Sequence, residues 1–119
     1  MYIGDLKTVA FVALICIMSE MYKYEVKMKE NAIEKHLKSE VQKRHGFCLK
    51  FISPGMAGVP DRIVLLPNGK IGFAELKAPG KKPRRMQRVV IRLLYLLGCR
   101  IAVLDNFKSV EGFIRSLMR

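Results

Sequence analysis

Three residues of this chain have types and spacing suited to chemistry on a phosphate ester: Asp61, Glu75 and Lys77. Asp61 and Glu75 are the only acids between Val41 and Leu104, a stretch that carries thirteen Lys and Arg. A solvated surface mixes its charges, so two isolated carboxylates in a basic field call for a reason. Either each pairs with a nearby base, or together they hold a cation that the field would otherwise repel. Carboxylate oxygens are the hard ligands that Mg²⁺ prefers, commonly one or two of them with waters and substrate phosphate. A lysine beside such a metal can hold or deprotonate an attacking water, or offset charge building on phosphorus. Two acids and a lysine, the second acid and the lysine in E-x-K spacing, can therefore make a phosphodiester-cleaving centre. The same three side chains could also form a salt-bridge cluster on a hairpin.

Whether the two acids meet depends on the turn between them. Residues 62–66 and 70–77 read as strands joined at Pro67-Asn68-Gly69. A two-residue Asn-Gly turn would pair 67 with 70 and 61 with 76, sending Asp61 and Glu75 to opposite faces. It would also ask Pro67 for a ladder hydrogen bond that proline cannot donate. A three-residue loop suits the sequence better. Pro67 and Asn68 form a type I turn and Gly69 takes a left-handed bulge position. That loop pairs 66 with 70 and 61 with 75, so the acids face each other and Lys77 lies two residues along on the same side.

The flanking elements read as follows. Ile33, Leu37 and Val41 recur every four residues in a helix that begins near Lys29, with Asn31 as a possible cap, and ends at Gly46. Residues 47–52 read as a strand and 53–60, with two Gly and two Pro, as a loop. A basic loop at 78–83 leads into a helix from about Arg84 to Leu97. Its apolar face is Met86, Val89, Val90, Leu93, Leu94 and Leu97, and Arg85, Arg88 and Arg92 form a basic stripe. A last strand covers 100–104 and a last helix 109–118. The order is α-β-β-β-α-β-α, a mixed α/β layer fold.

The chain has 119 residues, a single-domain length, and 22 Lys plus Arg against 10 Asp plus Glu. The net charge of +12 suggests a polyanionic partner, nucleic acid or an anionic membrane. Residues 1–27 are net neutral, so the excess lies beyond them. Cys16, Cys48 and Cys99 share no metal spacing and read as reduced, buried thiols of a cytosolic protein. His36 and His45 have no ligand-spaced neighbours, which argues against zinc. Residues 9–18 are all apolar. As a helix they span about 15 Å, too short for a bilayer core of about 30 Å. The run could pass for the core of a signal peptide, but no net positive charge precedes it and no small-x-small site follows. It is expected to be an accessory segment packed on the domain or on a partner.

With these residues in view the chain resembles a known family. Gly58-Val59-Pro60-Asp61, Glu75-Leu76-Lys77 and Gln87 on the following helix are similar to the motifs of the VRR-NUC nucleases. These belong to the PD-(D/E)xK superfamily, whose core is that of restriction endonucleases. The resemblance covers about residues 29–118. It sets apart an N-terminal extension, 1–28, from a nuclease domain, 29–119. It implies a mixed sheet flanked by helices, with Asp61 and Glu75 as metal ligands, the Leu76 carbonyl as a further ligand and Lys77 as the catalytic lysine. A helix-1 glutamate also binds metal in the family. Glu34 looks like that residue, with Glu30 one turn earlier as the fallback. Gln87 is expected near the site or the DNA backbone. Lys81, Lys82, Arg84, Arg85, Arg88 and Arg92 would then be phosphate contacts that read DNA shape rather than sequence.

The function implied is metal-dependent, structure-selective DNA endonuclease activity with Mg²⁺ or Mn²⁺, such as Holliday-junction or flap processing in replication and repair. Stand-alone phage and bacterial members resemble dimeric junction-resolving enzymes, so a cytoplasmic homodimer is expected. Two other readings stand beside it. A non-catalytic nucleic-acid-binding module would explain the charge but leave Asp61, Glu75 and Lys77 idle. A membrane-associated accessory protein would be built around residues 9–18 and the basic surface.

Overall fold

The computed structural model describes residues 5–119. It has seven elements in the expected order: α1 (Leu6–Lys43), β1 (Phe47–Lys50), β2 (Arg62–Leu66), β3 (Lys70–Leu76), α2 (Arg85–Leu96), β4 (Arg100–Leu104) and α3 (Phe107–Met118). The four strands form one sheet in the order β1-β2-β3-β4. The first three are antiparallel neighbours, and β4 joins β3 in parallel after the α2 crossover.

The hairpin register is the one that Pro67 demands. Leu66 pairs with Lys70 and Arg62 with Ala74, which sets residue 61 opposite residue 75. The loop backbone differs from the type I expectation: Asn68 as well as Gly69 is left-handed, at φ 68° and 72°. Asparagine tolerates that region better than other side-chain-bearing residues, so the register survives the change.

Alternation along β3 sorts the two faces of the sheet. Gly72, Ala74 and Leu76 turn to the side packed by α1 and α3. There Ile33, Leu37, Val41, Val64, Leu104 and Ile114 are among the buried residues of a single core. Gly72 makes room for α3 on that side: a Cβ there would lie 2.7 Å from the Leu117 side chain and 2.8 Å from the Phe113 ring, and those side chains would have to shift. Phe73, Glu75 and Lys77 turn to the other side, the side of α2.

The first helix departs most from expectation. No Gly or Pro interrupts residues 5–45, and the Asp5 side chain caps the first turn by accepting from the Thr8 N–H at 2.7 Å. The apolar run 9–18 and the periodic segment from Lys29 are therefore one helix of 38 residues, which passes unbroken through the 28/29 boundary. Only Ile33, Leu37 and Val41 of it are buried. Residues 9–18 are exposed throughout and do not pack on the domain. No described helix is long and apolar enough to cross a membrane. Cys16, expected to be buried, is exposed with this segment.

The helix stops by a two-bond C-terminal motif: His45 N–H donates to Gln42 O and Gly46 N–H to Val41 O. His45, not Gly46, takes the left-handed position, at φ 61°. Gly46 is needed for close approach, since a Cβ there would stand 2.3 Å from Leu65 O.

The α2 helix is also turned from its expected seating. Gln87, Val90, Ile91 and Leu94 face inward, and Val90 alone is buried. Met86, Val89, Leu93 and Leu97 of the expected core face are exposed, Leu97 by 79%. A four-stranded sheet gives this helix only β4 and the end of β3 to cover, and Gln87 has a buried partner to reach. The apolar remainder borders a groove of about 390 Å³ shared with Phe51 and Met56 from the loop after β1.

Candidate active site

Asp61 immediately precedes β2 and Glu75 and Leu76 end β3, so the antiparallel pairing brings them to one edge of the sheet. Asp61 is fixed by a hydrogen bond: the Leu76 N–H donates to its Oδ2 at 2.9 Å. Glu75 is 0% exposed, the single fully buried acid of the described residues. Its Oε1 accepts from Gln87 Nε2 at 2.9 Å and lies 3.7 Å from Lys77 Nζ. Its Oε2 is buried with no hydrogen-bond partner. Gln87 is itself oriented, its Oε1 accepting from the Arg84 N–H at 2.8 Å at the start of α2.

Burial, with the Asp61 carboxyl beside it, pushes the Glu75 pKa up to about 8, and Lys77 offsets this only in part. A buried carboxyl with one orphaned oxygen, set against a second carboxyl, is costly unless something positive completes it. The donor set consists of hard oxygens, which fits Mg²⁺ or Mn²⁺. Among the described residues no cluster of three or more Asp, Glu, His or Cys side chains could hold a metal. Two carboxylates supplemented by a backbone carbonyl and waters suit a magnesium-type site, which keeps several waters.

The helix-1 glutamates separate clearly. Val41, Leu37, Ile33, Glu30, Val26 and Tyr22 follow one another at spacings of three and four, a stripe that faces the body of the protein. Glu30 lies on that stripe, close enough to Glu75 to raise its pKa further. Glu34, one turn on, lines the same cleft as Glu30 and Asp61, but its carboxylate is taken by two bases. It pairs with Arg62, and with Lys38 at 3.1 Å, and these two bases hold its carboxyl below the usual range despite partial burial.

The basic residues divide as well. Arg84, Arg85, Arg88 and Arg92 are exposed on or just before α2, and Lys82 is exposed on the preceding loop. Lys81 instead reaches back to α1, where it donates to the Tyr22 hydroxyl and sits 4.8 Å from the centre of its ring. Nothing in the spacing of Tyr22 and Lys81, 59 residues apart, announces that contact. The periodicity of the body-facing stripe, continued N-terminally from Ile33, was the signal that could have placed Tyr22 and Glu30 there.

This hairpin-and-crossover sheet, with two acids and a lysine at its edge, is the architecture of a nuclease domain, and comparison with known proteins gives it a family. A "VRR_NUC domain" of known structure is 31% identical to the chain, with a TM-score of 0.68, and matches 73% of this chain and 95% of its own. "Putative nuclease p44" of Acyrthosiphon pisum secondary endosymbiont phage 1 is 54% identical over 79 residues, 66% of this chain and 85% of that protein. No family model matches the chain. The chain belongs to the VRR-NUC family of nucleases.

Proposed function

We propose that this nuclease is a metal-dependent, structure-selective DNA endonuclease that hydrolyses phosphodiester bonds. The observation that carries the reading is Glu75: fully buried, one oxygen orphaned, Asp61 beside it and Lys77 at 3.7 Å. Asp61, Glu75 and the Leu76 carbonyl would hold Mg²⁺ or Mn²⁺. Glu30 fits the helix-1 position better than Glu34, whose carboxylate is occupied by Arg62 and Lys38. The bound cation would polarise the phosphoryl oxygen and lower the pKa of an attacking water. Lys77 would hold that water and offset negative charge as phosphorus becomes five-coordinate. Gln87 orients the Glu75 carboxylate through its single hydrogen bond, and the Leu76 N–H does the same for Asp61.

Exposed arginines on α2 support a phosphate-binding surface that follows backbone shape. The exposed apolar side chains Leu93, Leu96 and Leu97 support a homodimer, which would set two sites on opposing strands of a branched or flapped DNA. The test is a panel of labelled duplex, flap, splayed-arm and four-way-junction DNA incubated with Mg²⁺ or Mn²⁺. Cleavage of the branched members by the wild type is expected, with none by Asp61→Asn, which should bind the same DNA as well or better. Undiminished cutting by Asp61→Asn would place the active centre elsewhere. Absence of cutting by the wild type would leave a nucleic-acid-binding protein.

A further inference from the structure

A cleft of about 250 Å³ opens where α1 crosses the ends of β1, β2 and β3. Its lining holds three acids, Glu30, Glu34 and Asp61, and three bases, Lys27, Lys50 and Arg62. The charges are not equivalent once their pairing is followed. Arg62 is taken by Glu34. Lys27 stands 4.0 Å from Glu30 and its side chain remains 68% exposed. Lys50 is exposed, and no carboxylate among the described residues lies within salt-bridge reach of it. With a divalent cation on Asp61 and Glu75, the cleft would keep Lys50 unpaired and Lys27 held by Glu30 only at 4.0 Å.

Of the two site acids, the cleft reaches one. Asp61 lines it, while Glu75 is closed off by burial and by its contacts with Gln87 and Lys77. Lys50 has the same parity along β1 as Cys48, which packs against the core under α1, so it belongs to the α1 side of the sheet. The arginines of α2 lie on the other side.

We propose that Lys27 and Lys50 are phosphate-binding residues for the substrate strand, gripping its backbone on the α1 side of the scissile phosphodiester while the α2 arginines hold it on the other. This rests on reading the site as a nuclease centre. It gives the part of α1 just beyond the core a purpose, since Lys27 and Glu30 line the cleft from that helix. That wall is tied to the opposite loop by the Lys81–Tyr22 contact. Two features make lysine suitable here. It is a point charge on a flexible stem, and it carries no base-reading geometry.

The test measures binding of a fluorescein-labelled DNA duplex in EDTA across a salt series, for wild type, Lys27→Ala, Lys50→Ala, the double variant, and Lys108→Ala. Lys108, exposed on α3, removes the same charge away from the cleft. Each cleft lysine should lower the slope of log affinity against log salt by about 0.9, and affinity at 0.1 M salt by roughly eight-fold. Lys50→Arg should recover most of the loss. If Lys27→Ala and Lys50→Ala behave as Lys108→Ala does while the wild type cuts DNA with Mg²⁺, the inference is overturned and the nuclease reading stands. If the wild type cuts no DNA yet the slopes fall as stated, the phosphate contacts are established and the nuclease reading is lost.

Discussion

Glu75 concentrates the argument at the scale of single residues. Its carboxyl is buried, shares its surroundings with Asp61, and has a pKa raised from the ordinary carboxylate range to about 8. The folded metal-free protein thus holds this proton more tightly than the unfolded chain does. Its contribution to stability is present in full below the ordinary carboxylate pKa and is lost as pH rises through about 8. In EDTA the melting temperature is expected to fall across that window, and Glu75→Gln should flatten the fall. Added Mn²⁺ should restore wild-type stability at alkaline pH and leave Glu75→Gln unmoved. Lys77→Ala should separate from the acid variants: it keeps the manganese-dependent melting shift yet loses cleavage, and excess Mn²⁺ does not restore the rate. The meeting of Asp61 and Glu75 was legible in the sequence, because a proline without an N–H excludes the competing hairpin register. The choice between Glu30 and Glu34 was not. The two are one turn apart on a helix and line the same cleft, and only the pairing of Glu34 with Arg62 and Lys38 tells them apart.

At the scale of elements, the junction between α1 and β1 sets where the sheet begins. The chain leaves the helix through a left-handed His45 and passes so close to β2 that Gly46 has no room for a side chain. Gly46→Ala should therefore force backbone movement against Leu65 and cost about 1–3 kcal/mol, read from denaturant unfolding. A Gly46→Ala protein as stable as wild type would mean that the strand can shift away freely. The sequence marked the helix end correctly but for another reason, since a glycine after a helix reads first as a cap. The α2 helix shows the same limit. Its apolar positions span more than half of its circumference, so periodicity could not choose which part meets the sheet. The buried partner of Gln87 decides it, and that partner lies twelve residues away in another element. The order of elements along the chain and the helix between β3 and β4 were readable, because the turn residues and the change of period from two to 3.6 leave few alternatives.

At the scale of the whole molecule, unfilled apolar surface is the notable feature. Leu93, Leu96 and Leu97 are 46%, 67% and 79% exposed along one side of α2. If a second copy covers them, Leu93→Glu with Leu97→Glu should convert a dimeric mass to a monomeric one by light scattering, while the melting temperature changes little. A monomeric wild type at micromolar concentration would remove the dimer from the proposal. The continuous α1 has a mechanical consequence. It is held by the core at Ile33, Leu37 and Val41, and from Ile33 to Phe11 it runs about 33 Å as an uninterrupted rod. A tilt of about ten degrees pivoting on Ile33 would carry Phe11 through roughly 6 Å and Tyr22 through roughly 3 Å, but Glu30 through less than about 1 Å. The arm thus works at a mechanical disadvantage toward the acidic pair. Its far end can be swung or tethered while Glu30 stays nearly in place, and the hold of Tyr22 on Lys81 is the first thing that such a swing would break.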